Sequence, residues 1–340
     1  MQAPALSHLD PEMMAMLDDI RARLARTFRA ADGAFSFAVS GTGTAGMETA
    51  IANLTRPGMR AVAVVTGYFG DRLAQMLQRY GAEVARVDVE WGRACDPAQL
   101  ERALGGGADL VTMVHAETST GVLNPVADLC RIAKARGART IVDAVTSLGA
   151  HPVEAGAWSA DAVYSCSQKG LGAPSGLAPI SFAAGMISSL KAGATGRSFY
   201  LDLGLLHDYW VDRKYHHTIS APLIYALHEA LVAVDEEGLE ARWERHRMNH
   251  LALVAALADL GLELLPPPAE QLWSLNAVKV PAGVDEAAAR KALLTDHGIE
   301  IGAGLGPLAG KIWRVGLMGS GSTAENITRL TDALRAVLRR

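Results

Sequence analysis

The chain has 340 residues, half of them apolar, and a formal charge of −4 at pH 7, which is enough apolar material for a sizeable core. It has no long basic run to mark a nucleic-acid or anionic-membrane surface and no apolar stretch of the roughly 18 residues that suggest a span, so a small-molecule partner is expected. The three cysteines, Cys95, Cys130 and Cys166, are odd in number and widely spaced, with no C-x-x-C pair; this argues for a reducing compartment, the cytoplasm, over a disulfide framework or zinc site.

The N-terminus lacks a basic-then-apolar signal, and Leu338-Arg339-Arg340 is not a peroxisomal tripeptide. Asp10-Pro11 opens a helix with an N-cap and a first-turn proline, and Met13, Leu17, Ile20, Leu24 and Phe28 follow at helical spacing. Short apolar runs then alternate with amphipathic segments: 35–39, 61–65, 84–87, 110–114, 140–142, 162–165 and 179–182. The alternation predicts an α/β domain around a mainly parallel sheet, in which ligands bind at the carboxyl ends of the strands. A helix around 223–237 leads to Gly238, read as a hinge between a large domain, 1–237, and a small C-terminal one, 238–340. The small domain should hold a helix over 239–260, a strand near 276–280, a helix over 285–297, a strand at 312–315 and a last helix. Ser322-x-x-Glu325 reads as the capping box of that last helix, and Pro266-Pro267-Pro268 as a rigid surface turn.

After the first apolar run, "VSGTGTAGMETAI" contains Gly41-x-Gly43-x-x-Gly46. By itself this is a weak signal, because such a loop suits any phosphate that meets the free N–H groups of a helix start. A dinucleotide would call for an acidic residue about 20 residues further on. The second strand ends instead in Thr66-Gly67, with Asp71 beyond the turn, which counts against a dehydrogenase.

Two polar residues at strand ends carry more weight. Lys169 in "YSCSQKGLGAPSG" follows a strand and precedes a loop of glycine and proline; held against apolar walls, such an amine has a lowered pKa and can form a Schiff base with an aldehyde such as pyridoxal phosphate (PLP). A solvated loop lysine is the commoner fate. Asp143 in "TIVDAVTSLGA" ends an almost wholly apolar strand, where an isolated carboxylate is expensive to bury and calls for a cation such as a pyridinium nitrogen; the plain alternative is a turn cap. The order and spacing of the two, with one βα unit between, suit a PLP site.

With these residues in place, the sequence resembles the class V, fold-type I aminotransferases, and among them the alanine–glyoxylate and serine–glyoxylate (serine–pyruvate) group. The resemblance rests on "SGTGTAGMETA", "TGYFGDR", "HAETSTGVLNP", "IVDAVTSLG", "YSCSQKGLGAPSG", "FYLDL", "YHHT" and "GKIWRVGLMG", in the expected order almost from end to end. It implies a large domain with a mainly parallel sheet plus a small α/β domain, and a two-step transamination between a small L-amino acid, alanine or serine, and glyoxylate or another small oxo-acid.

Carried over position by position, the resemblance makes Lys169 the Schiff-base lysine and proton carrier and Asp143 the partner of the pyridine nitrogen. Phe69 would stack on the cofactor ring, where many relatives have a larger Trp. Thr118 would lie near the ring, and Gln168 would reach the phosphate in a cup made by Thr42, Gly43 and Thr44, where relatives often have His in place of Thr44. Gly46 then becomes a helix-packing residue. Arg314 in "KIWRVG" would take the substrate carboxylate with a bidentate fork. Tyr215 and Thr218 of "YHHT" would reach the phosphate of a neighbouring subunit, implying a homodimer; the adjacent His216 and His217, lacking a Cys or acidic cluster, do not suggest a metal site.

A cysteine desulfurase on this fold needs a thiol on a C-terminal loop, and no cysteine follows Cys166. The closer alternative is ureidoglycine–glyoxylate transamination, whose enzymes share "EWG" and "GKIWR" but carry Asn at the place of Tyr215 and Gln at that of His8; this favours an alanine or serine donor. Relatives also begin with a further stretch bearing a G-P-G-P-S-N-like loop, and Met1-Gln2 lines up with the residues after it, so the native chain is expected to be longer.

Overall fold

Seven of the short apolar runs become strands of one sheet, as a computed structural model of the protein shows for its described residues, 5–191 and 198–338. In chain order the strands are β1 (Phe35–Ser40), β2 (Arg60–Val65), β3 (Glu83–Asp88), β4 (Leu110–Val114), a small hairpin of β5 (Ala116–Glu117) and β6 (Val122–Leu123), then β7 (Arg139–Asp143), β8 (Ala162–Tyr164) and β9 (Leu177–Phe182). The large sheet runs β1-β9-β8-β7-β4-β2-β3. Only β9 opposes the rest: it is antiparallel to both β1 and β8, while the other pairs are parallel. The carboxyl ends of β1, β2, β4, β7 and β8 therefore share one edge. The central strands are buried on both faces, which is why they read as continuous apolar runs rather than alternating ones.

The entry helix is Pro11–Thr27, with Asp10 Oδ1 accepting from the Glu12 N–H at 2.9 Å. It buries Met13, Leu17, Ile20 and Leu24 against β1 and the helix Ala221–Glu237. Beyond Gly238 the helix Leu239–Ala258 leads to a second sheet of β10 (Leu275–Lys279), β11 (Gly302–Ala303) and β12 (Ile312–Gly316), in the order β10-β12-β11. This sheet has its own apolar cluster, with Leu253, Leu257, Leu293, Trp313, Leu330 and Leu334 buried.

Two local expectations change. The short β11 is absent from the sequence reading because Gly302 and Ala303 carry none of the side chains that mark a strand. The capping box at Ser322 and Glu325 is not formed: the last helix, Ala324–Leu338, starts one residue later, and Thr323 Oγ1 accepts from the Asn326 N–H at 3.2 Å. Ser322 is already engaged, its hydroxyl taking the Asn249 amide at 3.1 Å. Among the described residues no helix is long and apolar enough to cross a membrane. Met1, Gln2, Arg339 and Arg340, which entered the reading of the chain ends, lie outside the described residues.

Where the two sheets meet, four imidazoles are buried: His115, His151, His246 and His250. The Trp273 N–H donates to His151 Nε2 at 2.8 Å, and the Gly319 N–H donates to His246 Nε2 at 3.1 Å. A proton on either nitrogen would face a donor. Burial pushes His115 down to about 3 and His246 to about 4, and also holds His151 and His250 below the ordinary histidine value. Unfolded, all four would take up protons near pH 6.5, so below that pH the unfolded state binds more protons than the folded one and stability falls, by up to about 1.4 kcal/mol per histidine per pH unit. The thermal midpoint should therefore drop steadily from pH 6.5 towards pH 4.5; a flat profile across that window would contradict this assignment.

Candidate functional site

The shared edge of the large sheet collects the loops that carry most of the residues singled out in the sequence. After β1, Gly41 sits at φ +142°, a conformation open to glycine, and turns the chain into the helix Gly43–Leu54. Thr42 is the N-cap of that helix but makes no side-chain capping bond, so the opening N–H groups are left for a ligand. Gly46 lies one turn in. A Cβ there would come within 3.1 Å of Ala178 Cβ and 3.4 Å of Tyr164 Cβ, as expected of a residue that lets helix and sheet pack closely.

Asp143 closes β7 with a carboxylate that is almost fully buried. It is not as isolated as the sequence suggested: Tyr164, its register partner on β8, donates its hydroxyl to Oδ2 at 2.6 Å, and the Val145 N–H donates to Oδ1 at 2.8 Å. Burial nevertheless dominates and pushes the Asp143 carboxyl up to about 7, with Glu117 pushing the same way and Arg72 opposing. Lys169 follows β8 and is mostly buried. Burial lowers its pKa, and the positive charge of Arg314 lowers it further while Cys166 opposes. The shift favours the neutral, nucleophilic form of the amine.

Arg314 reaches the edge from the second sheet. It lies on β12 between the buried Trp313 and Val315, and its Nε donates to the Ala303 carbonyl at 2.7 Å, which orients the fork. Thr118 is buried after β4, in close hydrogen-bond contact with Thr146; Ser274 donates to the Thr146 carbonyl at 2.8 Å and ties this corner to the second sheet. Gln168 is exposed beside Lys169. Tyr215 and Thr218 are exposed as well, on the segment between the helices Leu203–Trp210 and Ala221–Glu237. A single subunit therefore leaves these last two facing outward.

Three side chains that the motifs contained but the sequence reading did not assign also belong here. Tyr164 is one, visible only once β7 and β8 are placed in register. Glu117 is the second, fully buried; its carboxylate accepts from Ser119 Oγ at 2.6 Å, the Ser119 N–H at 3.2 Å, the Gly70 N–H at 3.1 Å and the Phe69 N–H at 3.4 Å. The helix Tyr68–Arg79 starts at Gly67, which offers no side-chain cap, so Glu117 and Ser119 cap it from another loop and fix the half-buried Phe69. Burial pushes the Glu117 carboxyl up and its four donors pull it back. The third is Arg72, on the same helix as Phe69.

These groups fit PLP. The raised, buried Asp143 matches a ring nitrogen that brings a proton or positive charge, the uncapped helix start matches one phosphate, and the lowered Lys169 amine matches an aldehyde. Replacing Glu117 with Gln would turn one acceptor into a donor facing N–H groups, so Glu117→Gln should cost about 2 kcal/mol of stability by denaturant unfolding and weaken PLP binding; unchanged values for both would contradict the capping role.

A model of the family described as aminotransferase class-V matches residues 2–330. An alanine–glyoxylate aminotransferase structure from Nostoc sp. superposes with a TM-score of 0.96 at 42% identity, covering 99% of this chain and 90% of the other. The (S)-ureidoglycine–glyoxylate transaminase of Bacillus subtilis (strain 168) is 35% identical over 100% of this chain and 86% of its own length. The alanine–glyoxylate aminotransferase of Oryctolagus cuniculus is 36% identical over 98% of this chain and 86% of its own.

Proposed function

We propose that this chain, which belongs to the class-V aminotransferases and is a PLP-dependent aminotransferase, moves the amino group of a small L-amino acid, alanine or serine, to glyoxylate or another small oxo-acid. The observation that carries the proposal is the meeting, at one sheet edge, of a partly buried amine, a buried carboxylate and an uncapped helix start, with a guanidinium arriving from the second sheet. The two alanine–glyoxylate relatives support the substrate class.

When bound, PLP supplies an aldehyde for the substrate amine and a ring that draws electrons from the substrate α-carbon. Asp143, held by Tyr164 and Val145, would keep a proton on the ring nitrogen. Phe69 would stack on the ring, and Thr118 would lie near it. Thr42, Gly43, Thr44 and Gln168 take the phosphate. The Lys169 amine, its neutral form favoured by burial and by Arg314, would carry the proton between the substrate α-carbon and C4′ of the cofactor. Arg314 spends Nε on Ala303, leaving Nη1 and Nη2 to grip the substrate carboxylate. Each site is completed by Tyr215 and Thr218 of a second copy in a homodimer; Tyr215, a large side chain left 62% exposed in one subunit, supports this. Residues 1–237 form the cofactor-holding domain and 238–340 the small domain. The three cysteines are free and buried, which suits the reducing cytoplasm.

Transamination of ureidoglycine is the second reading, given the Bacillus subtilis relative. This chain departs from that type at His8 and Tyr215, whose ring centroids lie 5.3 Å apart; the departure itself favours the alanine or serine donor. A panel of amino donors with glyoxylate and with pyruvate should show turnover of alanine or serine and none of ureidoglycine; the reverse pattern would overturn the choice. Lys169→Ala should remove both the near-visible absorbance of the bound cofactor and the turnover, and normal turnover in that variant would refute the mechanism.

A further inference from the structure

The phosphate cup as assigned contains no positive charge. Thr42, Gly43, Thr44, Gln168, Tyr215 and Thr218 are all neutral, whereas a phosphate monoester carries about −1.5 to −2 at neutral pH. Helix N–H groups offset part of that charge, roughly half an elementary charge. A cation lies next to the cup. Arg72 donates from Nη1 to Thr44 Oγ1 at 3.1 Å, and Thr44 is the second residue of the helix Gly43–Leu54.

The placement of Arg72 is held by aromatic faces rather than by a carboxylate. Its guanidinium carbon lies 5.1 Å from the Phe69 ring centroid and 5.2 Å from that of Tyr68. Among the described residues, no carboxylate forms an ion pair with it; the nearby Asp71 pairs with Arg86 instead, at 2.7 Å. An arginine with no ion pair among the described residues, stacked beside Phe69 and bonded to the cup, is poised for an anion brought by a ligand.

We propose that Arg72 is a binding residue for the phosphate of the cofactor, supplying the charge that Thr42, Gly43 and Thr44 lack and closing the cup on the Thr44 side. This rests on the reading of the site as a PLP site. It also accounts for Thr44 standing where relatives often have His: a short hydroxyl leaves room for a guanidinium from the neighbouring helix.

The test separates phosphate from ring. The full chain, stripped of cofactor, is titrated with PLP and with pyridoxal, which has the same aldehyde and ring without the phosphate, and near-visible absorbance is followed. Arg72→Gln should weaken PLP binding about tenfold to a hundredfold, the range for one hydrogen bond to a charged group, and weaken pyridoxal binding several times less. Arg72→Lys should recover part of the loss, because it restores the charge without the fork. Equal losses for PLP and pyridoxal would mean that Arg72 serves the ring or Phe69, and no loss for either would mean that it serves neither; both overturn the proposal. A wild-type chain that binds no PLP would instead overturn the reading on which it rests.

Discussion

The site depends on one buried carboxylate. Asp143 ends β7 in the middle of the large sheet, where water is excluded and where its charge is expensive. Tyr164 and Val145 fix its two oxygens without neutralising it. By itself the carboxyl meets that cost by titrating at about 7; in the proposed role a protonated ring nitrogen would meet it by pairing. Cofactor binding and fold stability are therefore linked through the same atom pair.

Other charges are arranged around that constraint. Glu117 holds the start of the Phe69 helix and also raises the Asp143 carboxyl, while Arg72 lowers it. Arg314 lowers Lys169, and Glu117 in turn favours the charged form of Arg314. The charge of each group thus bears on a neighbour. The second sheet takes part because β12 carries Arg314 and because Ser274 and Trp273 bond across to the loops after β7. A small displacement of that sheet would move the Arg314 fork, proposed to hold the substrate, relative to Lys169.

Much of this was legible in the sequence. Short apolar runs marked the seven strands of the large sheet to within a residue or two, the central ones because strands buried on both faces need no polar alternation, while the edge strand β3 is mostly exposed. Asp10-Pro11 marked its helix for a simple local reason, a cap followed by a proline. Lys169, Asp143 and Arg314 stood out as costly groups beside apolar neighbours. What escaped was long-range or compensated. Glu117 caps a helix about fifty residues away in the chain, Tyr164 meets Asp143 only through strand register, and β11 has no strand-forming side chain. Thr323 displaced Ser322 as the last cap because Asn249, far away in sequence, had already taken the serine hydroxyl.

The central claim is that the Asp143 carboxylate is kept at a cost to the empty protein and repaid by the ring nitrogen. Its folded value of about 7 lies above the unfolded value near 3.9, so its contribution is full below the unfolded value and lost as pH rises through 7, roughly 4 kcal/mol by pH 8. The direct measurement is the thermal midpoint at pH 8 of the wild type and of Asp143→Asn, each with and without PLP. The amide can still accept from Val145 and donate to the Tyr164 oxygen, so the account predicts that the empty Asp143→Asn protein is the more stable of the two and that PLP reverses the order. An empty Asp143→Asn protein less stable than the wild type, with PLP raising both midpoints equally, would contradict it.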